Sequence, residues 1–445
     1  VGGGGYNTSS GNYNTVSGGN SNTSSGDGST VGGGNYVGGG NNNTSSGSNS
    51  TVGGGGGNLA FSPGSFIGAG QNNVAAQKVR RANPINSSTT TITVLGAVAA
   101  DFDNTTANAL QIRYKIGTAA TAAFASTTRT VSTATQSGPN VALVVTDNVG
   151  AVSPNQWTNV TVVNTAETDT SAGQVVGGGI NNISTNTNST VGGGTNNTSS
   201  GLFSTVGGGA SNNASGYGST VGGGYSYRQG NTASGKYSTI GGGGGGYYYA
   251  FRAAAYNYPQ NIASGYLSTI AGGSSNNAIG YFSSIPGGFG AKTSIPGELA
   301  HSAGIFSQIG DAQHSIFILK GTTTNATPLN LLAGTSAVVT NFQQEIIIPS
   351  ETIFSGTINI IGTRNTGANV ARYLRQFTIK NVGGTPSLVG SIITLGRNVA
   401  DGTSISITAV NSTPAVLRIA VTGKASENWR WVAVVDCVSV QFEPV

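Results

Sequence analysis

The chain has 445 residues, of which 73 are glycine and only 7% are charged, with Asn, Ser and Thr filling the polar places. Strong helix formers are scarce in it, which excludes long helices. A formal charge of +5 carried by 19 scattered basic residues, with Lys78, Arg80 and Arg81 as the one small cluster, excludes a phosphate-tracking surface, so no nucleic-acid partner is expected.

From Val1 onward the sequence repeats. VGGGGYNTSSGNYNT opens at Val1 and VSGGNSNTSSGDGST at Val16, and the unit restarts at Val31, Val37, Val52 and Ile67. It returns at Val176, Val191, Val206, Val221, Ile240, Ile270 and Ile285. Departures from the fifteen-residue period are additions, the largest being one whole period between Ile240 and Ile270. Fifteen residues suit two short strands and two tight turns, so each unit predicts one rung of a parallel β-solenoid. Gly-Gly-Gly allows positive φ and close backbone approach, Asn-Asn favours a left-handed turn, and Ser-Gly marks a second turn. The Val or Ile after Ser-Thr is the one large apolar residue per rung, joined at mid-rung by alanines such as Ala214, Ala233, Ala263 and Ala278. At about 1.5 to 3 kcal/mol per buried Val or Ile against about 1 to 2 kcal/mol of backbone entropy per residue, one such stack is too weak alone. Several identical chains sharing an axis would supply the missing burial.

The run Asn212-Asn213-Ala214-Ser215-Gly216-Tyr217-Gly218-Ser219-Thr220-Val221-Gly222-Gly223-Gly224 resembles the head repeat of the trimeric autotransporter adhesins, the YadA-like β-roll. The resemblance implies a homotrimer. Between about Lys78 and Gly173 the repeat gives way to strand-like runs, including Thr90 to Val94, Ala109 to Ile116 and Val141 to Thr146, which predict a β-domain inserted in a turn of the stack.

From about His301 the glycine triplets vanish and alternating segments follow, among them Ile316 to Leu319, Thr357 to Ile361, Arg375 to Ile379 and Trp429 to Phe442. They predict an antiparallel, jelly-roll-like sandwich, with Trp429 and Trp431 on one face. The stretch Gly310 to Pro328, with Val421-Thr422-Gly423-Lys424 and Trp429-Arg430-Trp431-Val432-Ala433, is similar to the C-terminal domain of tail-fibre and other virion proteins of phages, notably cyanophages. The expected organisation is therefore all-β: solenoid over 1-77, inserted β-domain over 78-173, solenoid over 174-300 and terminal sandwich over 301-445.

Candidate chemistry is sparse. Gly230 to Lys236 nearly spells a phosphate loop, but Tyr237 stands where Ser or Thr would hold magnesium and the segment keeps the register of a rung. Only Asp27 occupies a place a calcium-binding roll would need in every turn. His301, Ser302, Asp311, His314 and Ser315 hold the residue types of a hydrolytic triad. Asp101 with Asp103 and Glu167 with Asp169 are the two close acid pairs, both in loop-like context. Cys437 is the only cysteine, which rules out an intrachain disulfide. Sequons such as Asn7, Asn22, Asn43 and Asn197 follow from composition. The aromatic cluster Tyr247, Tyr248, Tyr249, Phe251, Arg252, Tyr256 and Tyr258 is the candidate contact for a glycan or protein receptor, its plainer reading being a cover for the fibre's flank.

These readings lead to a non-enzymatic structural fibre of a virion, tail or head, that attaches to the host cell surface. Its partners would be two further copies, other virion proteins and a host glycan or protein; no cofactor, metal or membrane insertion is expected. A bacterial surface adhesin or extracellular filament subunit is the alternative. It ranks second because no coiled-coil stalk or membrane barrel is visible in the sequence. With no methionine even at position 1, a processed or partial chain is expected.

Overall fold

The computed structural model describes residues 1–33, 42–76, 172–225, 230–244, 260–334 and 344–442, apart from 366, 368 and 399–401, and the backbone of strands between 79 and 164. Every described element is a strand, and the chain divides into two compact units, Val1–Gly218 and Ser219–Val445.

In the first unit each rung contributes two two-residue strands in two parallel columns. One column holds Thr15–Val16, Thr30–Val31, Thr51–Val52, Phe66–Ile67, Val175–Val176, Thr190–Val191 and Thr205–Val206. The other runs from Thr8–Ser9 to Asn213–Ala214. Val31, Val52, Ile67, Val176, Val191 and Val206 are fully buried, as the repeat predicts. Val175–Val176 pairs directly with Phe66–Ile67, and Ile183–Ser184 with Val74–Ala75, so the stack closes over the segment between them. That segment forms a six-stranded antiparallel sheet in the order Val79–Arg81, Trp157–Asn164, Ala109–Ile116, Phe124–Ser137, Asn140–Val145 and Thr91–Leu95.

The interior is not chiefly apolar. The residue before the inward-pointing Asn takes the left-handed turn, with φ of 57° at Asn72, 56° at Asn181 and 61° at Ser211, and the Asn that follows it is fully buried. Its amide is satisfied completely. Asn182 donates from Nδ2 to the carbonyls of Gly178 and Gly194, both at 2.8 Å, while its Oδ1 accepts the Asn197 N–H at 3.0 Å. The same relay links Asn43, Asn58, Asn73, Asn182, Asn197 and Asn212. Buried serines pair likewise, Ser45 with Ser50 at 2.7 Å and Ser199 with Ser204 at 2.7 Å. With about 0.5–1.5 kcal/mol for each net hydrogen bond, the Asn relay contributes per rung about as much as the buried Val. The third glycine of the triplet is obligatory: at Gly179, φ is 87° and a Cβ would overlap the Gly194 carbonyl.

The second unit repeats this architecture, with Asn231, Asn261 and Asn276 as the relay and Ile240, Ile270 and Ile285 as the buried column. Thr239–Ile240 pairs with Thr269–Ile270, so the doubled period is one rung with a long insertion. The last solenoid strand, Leu299–His301, then pairs antiparallel with Ala312–Thr323. This begins a sheet ordered Ala312–Thr323, Trp429–Gln441, Thr352–Arg364, Val370–Val382, Ile393–Asn398. A smaller sheet centred on Val416–Thr422 packs over one of its faces. Phe317, Leu319, Phe354, Ile358, Tyr373, Phe377, Leu417 and Ile419 fill the core between them. Trp429 and Trp431 stack at 5.6 Å within it, and the Trp431 indole donates to Thr323 Oγ1 at 3.0 Å.

Replacing one relay member removes every bond of its side-chain amide, at Asn58 those to Gly54 O, Gly70 O and Asn43 Oδ1 and those accepted from Asn73, and leaves buried partners unpaired. Asn58→Ala is expected to lower stability by about 1–3 kcal/mol in urea unfolding. Asn49→Gly, at a turn residue with φ of 57°, should change it by less than about 0.5 kcal/mol.

Candidate functional site

The aromatic cluster Tyr247, Tyr248, Tyr249, Phe251, Arg252, Tyr256 and Tyr258 lies outside the described residues, as do the acid pairs Asp101/Asp103 and Glu167/Asp169. Gly230 to Lys236 is an ordinary rung, with Asn231 in the relay and Thr232–Ala233 in the strand column.

The junction residues that suggested a triad are brought close, but each is engaged separately. His314 Nε2 meets Asp436 Oδ1 at 2.6 Å on the exposed face. Ser302 Oγ donates to the carbonyls of Gly304 and Ala312, at 2.6 and 2.7 Å. Asp311 accepts the backbone N–H groups of Phe306, Ser307 and Gln308, which fixes the turn leading into the sheet. Ser315 Oγ turns to the other face and donates to Glu298 Oε1 at 3.0 Å. His301 sits opposite His314 in the strand pair. No serine hydroxyl bonds a histidine here, so these residues are not arranged as a triad.

Sequence reasoning missed Glu298. Its buried carboxylate also accepts the N–H groups of Ser294 at 2.7 Å and Ile295 at 3.1 Å, tying the last solenoid turn to the first strand of the sheet. Burial outweighs these donors and pushes its pKa up from 4.5 to about 7. Beside it Cys437 is buried, and its thiol is pushed up to about 12 by burial, then by the charges of Glu298 and Asp436.

The other missed feature is the uncovered face of the main sheet. The register sets Ile318 beside Val434, Val432 beside Ile361, and Val438 beside His314 and Ser355. Ile318, Ile361, Val432, Val434, Val438 and Val440 are between 36% and 58% exposed, while the alternate residues Phe317, Leu319, Ala433, Val435 and Cys437 are in the core. Both faces of the Trp429–Gln441 strand are therefore largely apolar, which is unlike an antiparallel sheet with one solvated side. The unbroken apolar run of Val432 to Val435 is the sequence signal for it. At one end of this face lies a shallow cavity of about 460 Å³ bounded by His301, Phe306, His314, Ile353, Val438 and Val440.

No family model matches the sequence, and no curated protein matches it. The solved structures it is similar to include three tailspike proteins. That of Acinetobacter baumannii phage AM24 is 9% identical with a TM-score of 0.17, over 60% of this chain and 52% of that one, so the chain spans about half its length. Tailspike gp49 of the A. baumannii bacteriophage Fri1, a capsular polysaccharide depolymerase, is 10% identical with a TM-score of 0.21, over 93% and 81%. The Gp54 tailspike of the A. baumannii bacteriophage AP22, solved with A. baumannii capsular saccharide, is 8% identical with a TM-score of 0.13, over 95% and 91%.

With a depolymerase among these structures, the expectation that the chain is not an enzyme is corrected. The physical reason is that linear spacing cannot exclude carboxylates assembled by the fold, and both acid pairs lie outside the described residues.

Two predictions follow from the junction. Between pH about 4.5 and 7 the folded chain holds a proton on Glu298 that the unfolded chain has released. Stability at that site therefore falls as pH rises through this window, by on the order of 3 kcal/mol in all. Unfolding midpoints across pH should show the slope, and Glu298→Gln should flatten it. Cys437 should resist a thiol-reactive dye at pH 8 in the folded chain and react fully in denaturant; fast labelling of the native protein would contradict its burial.

Proposed function

We propose that the chain is a structural fibre protein of a virion, of the tail or head, which assembles as a homotrimer and attaches the particle to the host cell surface. The observation that carries this reading is the uncovered apolar sheet face at the end of a solenoid. Six aliphatic residues clustered on one face of a solvated sheet require a cover. The occupant is a further copy of the same chain. Asp436 lies to one side of Val434, and Lys320 and Arg430 lie to the other, so copies that meet through this patch can pair opposite charges at its rim.

In this reading the rungs are of the YadA-like head type, and their solenoids form the shaft. They suit that role because an interior closed by amide and hydroxyl relays is indifferent to length, adding the same bonds at every step. The segment 78–173 is an inserted β-domain and 301–445 the terminal domain, similar to phage tail-fibre C-termini. Attachment through three copies raises avidity without new contacts in any one of them.

Light scattering of the purified chain should give three times the chain mass. Val434→Asp and Val438→Asp should give one chain mass with unchanged Trp429 and Trp431 fluorescence, because both sites are on the outer face. A monomeric wild-type chain would overturn the proposal.

A further inference from the structure

One turn of the second unit's solenoid runs against the conformational preference that most rungs of the first unit follow. The second residue of this turn has positive φ in every rung: Tyr237 at 56°, Leu267 at 53°, Phe282 at 59° and Gly297 at 71°. The turns stack in register through backbone hydrogen bonds, Leu267 N–H to Lys236 O at 2.9 Å, Phe282 N–H to Tyr266 O at 2.8 Å and Gly297 N–H to Tyr281 O at 2.8 Å. Left-handed backbone favours Gly or Asn and penalises bulky side chains. The first unit mostly complies at this turn, with Gly28, Asn49, Gly64, Gly173, Asn188 and Gly218, and departs from it singly at Tyr13 and at Phe203. Three successive rungs of the second unit instead hold large side chains there, and burial does not repay the strain, since Tyr237, Leu267 and Phe282 are each more than two-fifths exposed. Strain of this kind persists where the side chain serves a purpose outside the fold.

The geometry points to a binding ledge for a linear, uncharged saccharide running along the solenoid, made by Tyr237, Tyr266, Leu267, Tyr281 and Phe282. This rests on the attachment reading above and gives it a site. Tyr266 lies at the centre, 6.0 Å from Tyr237, 6.4 Å from Tyr281 and 5.7 Å from Phe282, with each neighbour's ring nearly perpendicular to its own. The turns recur at the strand spacing of about 4.8 Å, close to the length of one hexose in an extended chain. Aromatic faces meet the C–H faces of sugar rings, and tyrosine hydroxyls add hydrogen bonds at the rim. Lys236 is the one charged side chain in these turns, so the row offers no repeating set of cations to match a charge on every unit of an acidic polymer, and a neutral chain fits it better. Area decides against a protein occupant: with about 150–250 Å² per aromatic side chain, the exposed part of the ledge is on the order of 300 Å². A specific protein interface needs about 800 Å² per partner.

The test uses the full chain on an array of neutral and acidic bacterial surface saccharides, with Tyr237→Gly/Phe282→Gly and Tyr266→Ala/Tyr281→Ala as variants. The glycine pair relieves the backbone and so keeps or raises thermal stability. Wild type should bind neutral saccharides, and each pair should weaken that binding at least tenfold while leaving the scattering mass unchanged. Binding confined to acidic saccharides, no saccharide bound, or variants that bind like wild type would overturn the ledge. A trimer that fails to bind sinks the ledge alone, whereas a monomer sinks the attachment reading.

Discussion

A fifteen-residue rung encloses too little space for a hydrophobic core, so whatever fills it has to be satisfied by the rung above and the rung below. The buried asparagine meets this constraint. Its side-chain amide offers two donors and an acceptor, and the structure uses all of them: two glycine carbonyls, one in its own rung and one in the next, and the next relay amide N–H. The glycine triplet follows from the same bond, because the relay works only if successive backbones lie close enough for Nδ2 to reach across. A Cβ on the third glycine would occupy the space of the neighbouring carbonyl. Composition that looks like low complexity is thus the signature of a repeated hydrogen-bonding requirement.

That requirement explains which parts of the architecture were legible in the sequence. Val31, Val52 and Val191 recur at the period with a β-branched side chain and read directly as a buried column. Asn73 and Asn182 did not, because an Asn-Asn pair in isolation reads as a turn. Only when the rung closes does the second member fall beneath its counterpart, 109 residues away in the case of these two. The insertion before Val175 and the doubled period after Ile240 could be read as additions, yet only the pairing of Thr239–Ile240 with Thr269–Ile270 shows that the latter adds no rung. Around the site the same limit applies. Glu298 is an unremarkable acid in sequence, and its environment comes from Ser294, Ile295 and Ser315, the last from a different strand. The turn aromatics were visible as residues but not as exceptions, since their left-handed backbone is a property of the closed rung.

The junction shows how a solenoid is stopped. A parallel stack ends with a bare edge, which would invite further chains to add without limit. Here Leu299–His301 is paired instead by an antiparallel strand, and Ser302, Asp311 and Glu298 each fasten the crossing with buried or half-buried hydrogen bonds. The edge is thereby converted into the first member of a sheet whose inner side has a conventional core. The outer side keeps its aliphatic residues exposed. The unsatisfied valence of the stack is moved from backbone hydrogen bonds, which are generic, to a shaped apolar surface, which can select a specific cover.

The same economy bears on recognition. A repeat whose interior is fixed by the Asn, Ser and Val columns leaves only its turns free to vary, and those turns stack in straight rows. Any side chain placed there is presented at the rung spacing without needing a loop to order on binding, so little conformational entropy is lost when a ligand settles along the row. A row of rings this narrow can hold a polymer only weakly at one site, which is useful on a fibre if several rows engage at once. Weak, preorganised contacts joined through a trimer would release and rebind singly while the assembly stays attached, and so allow movement along a surface polymer that one tight site would prevent.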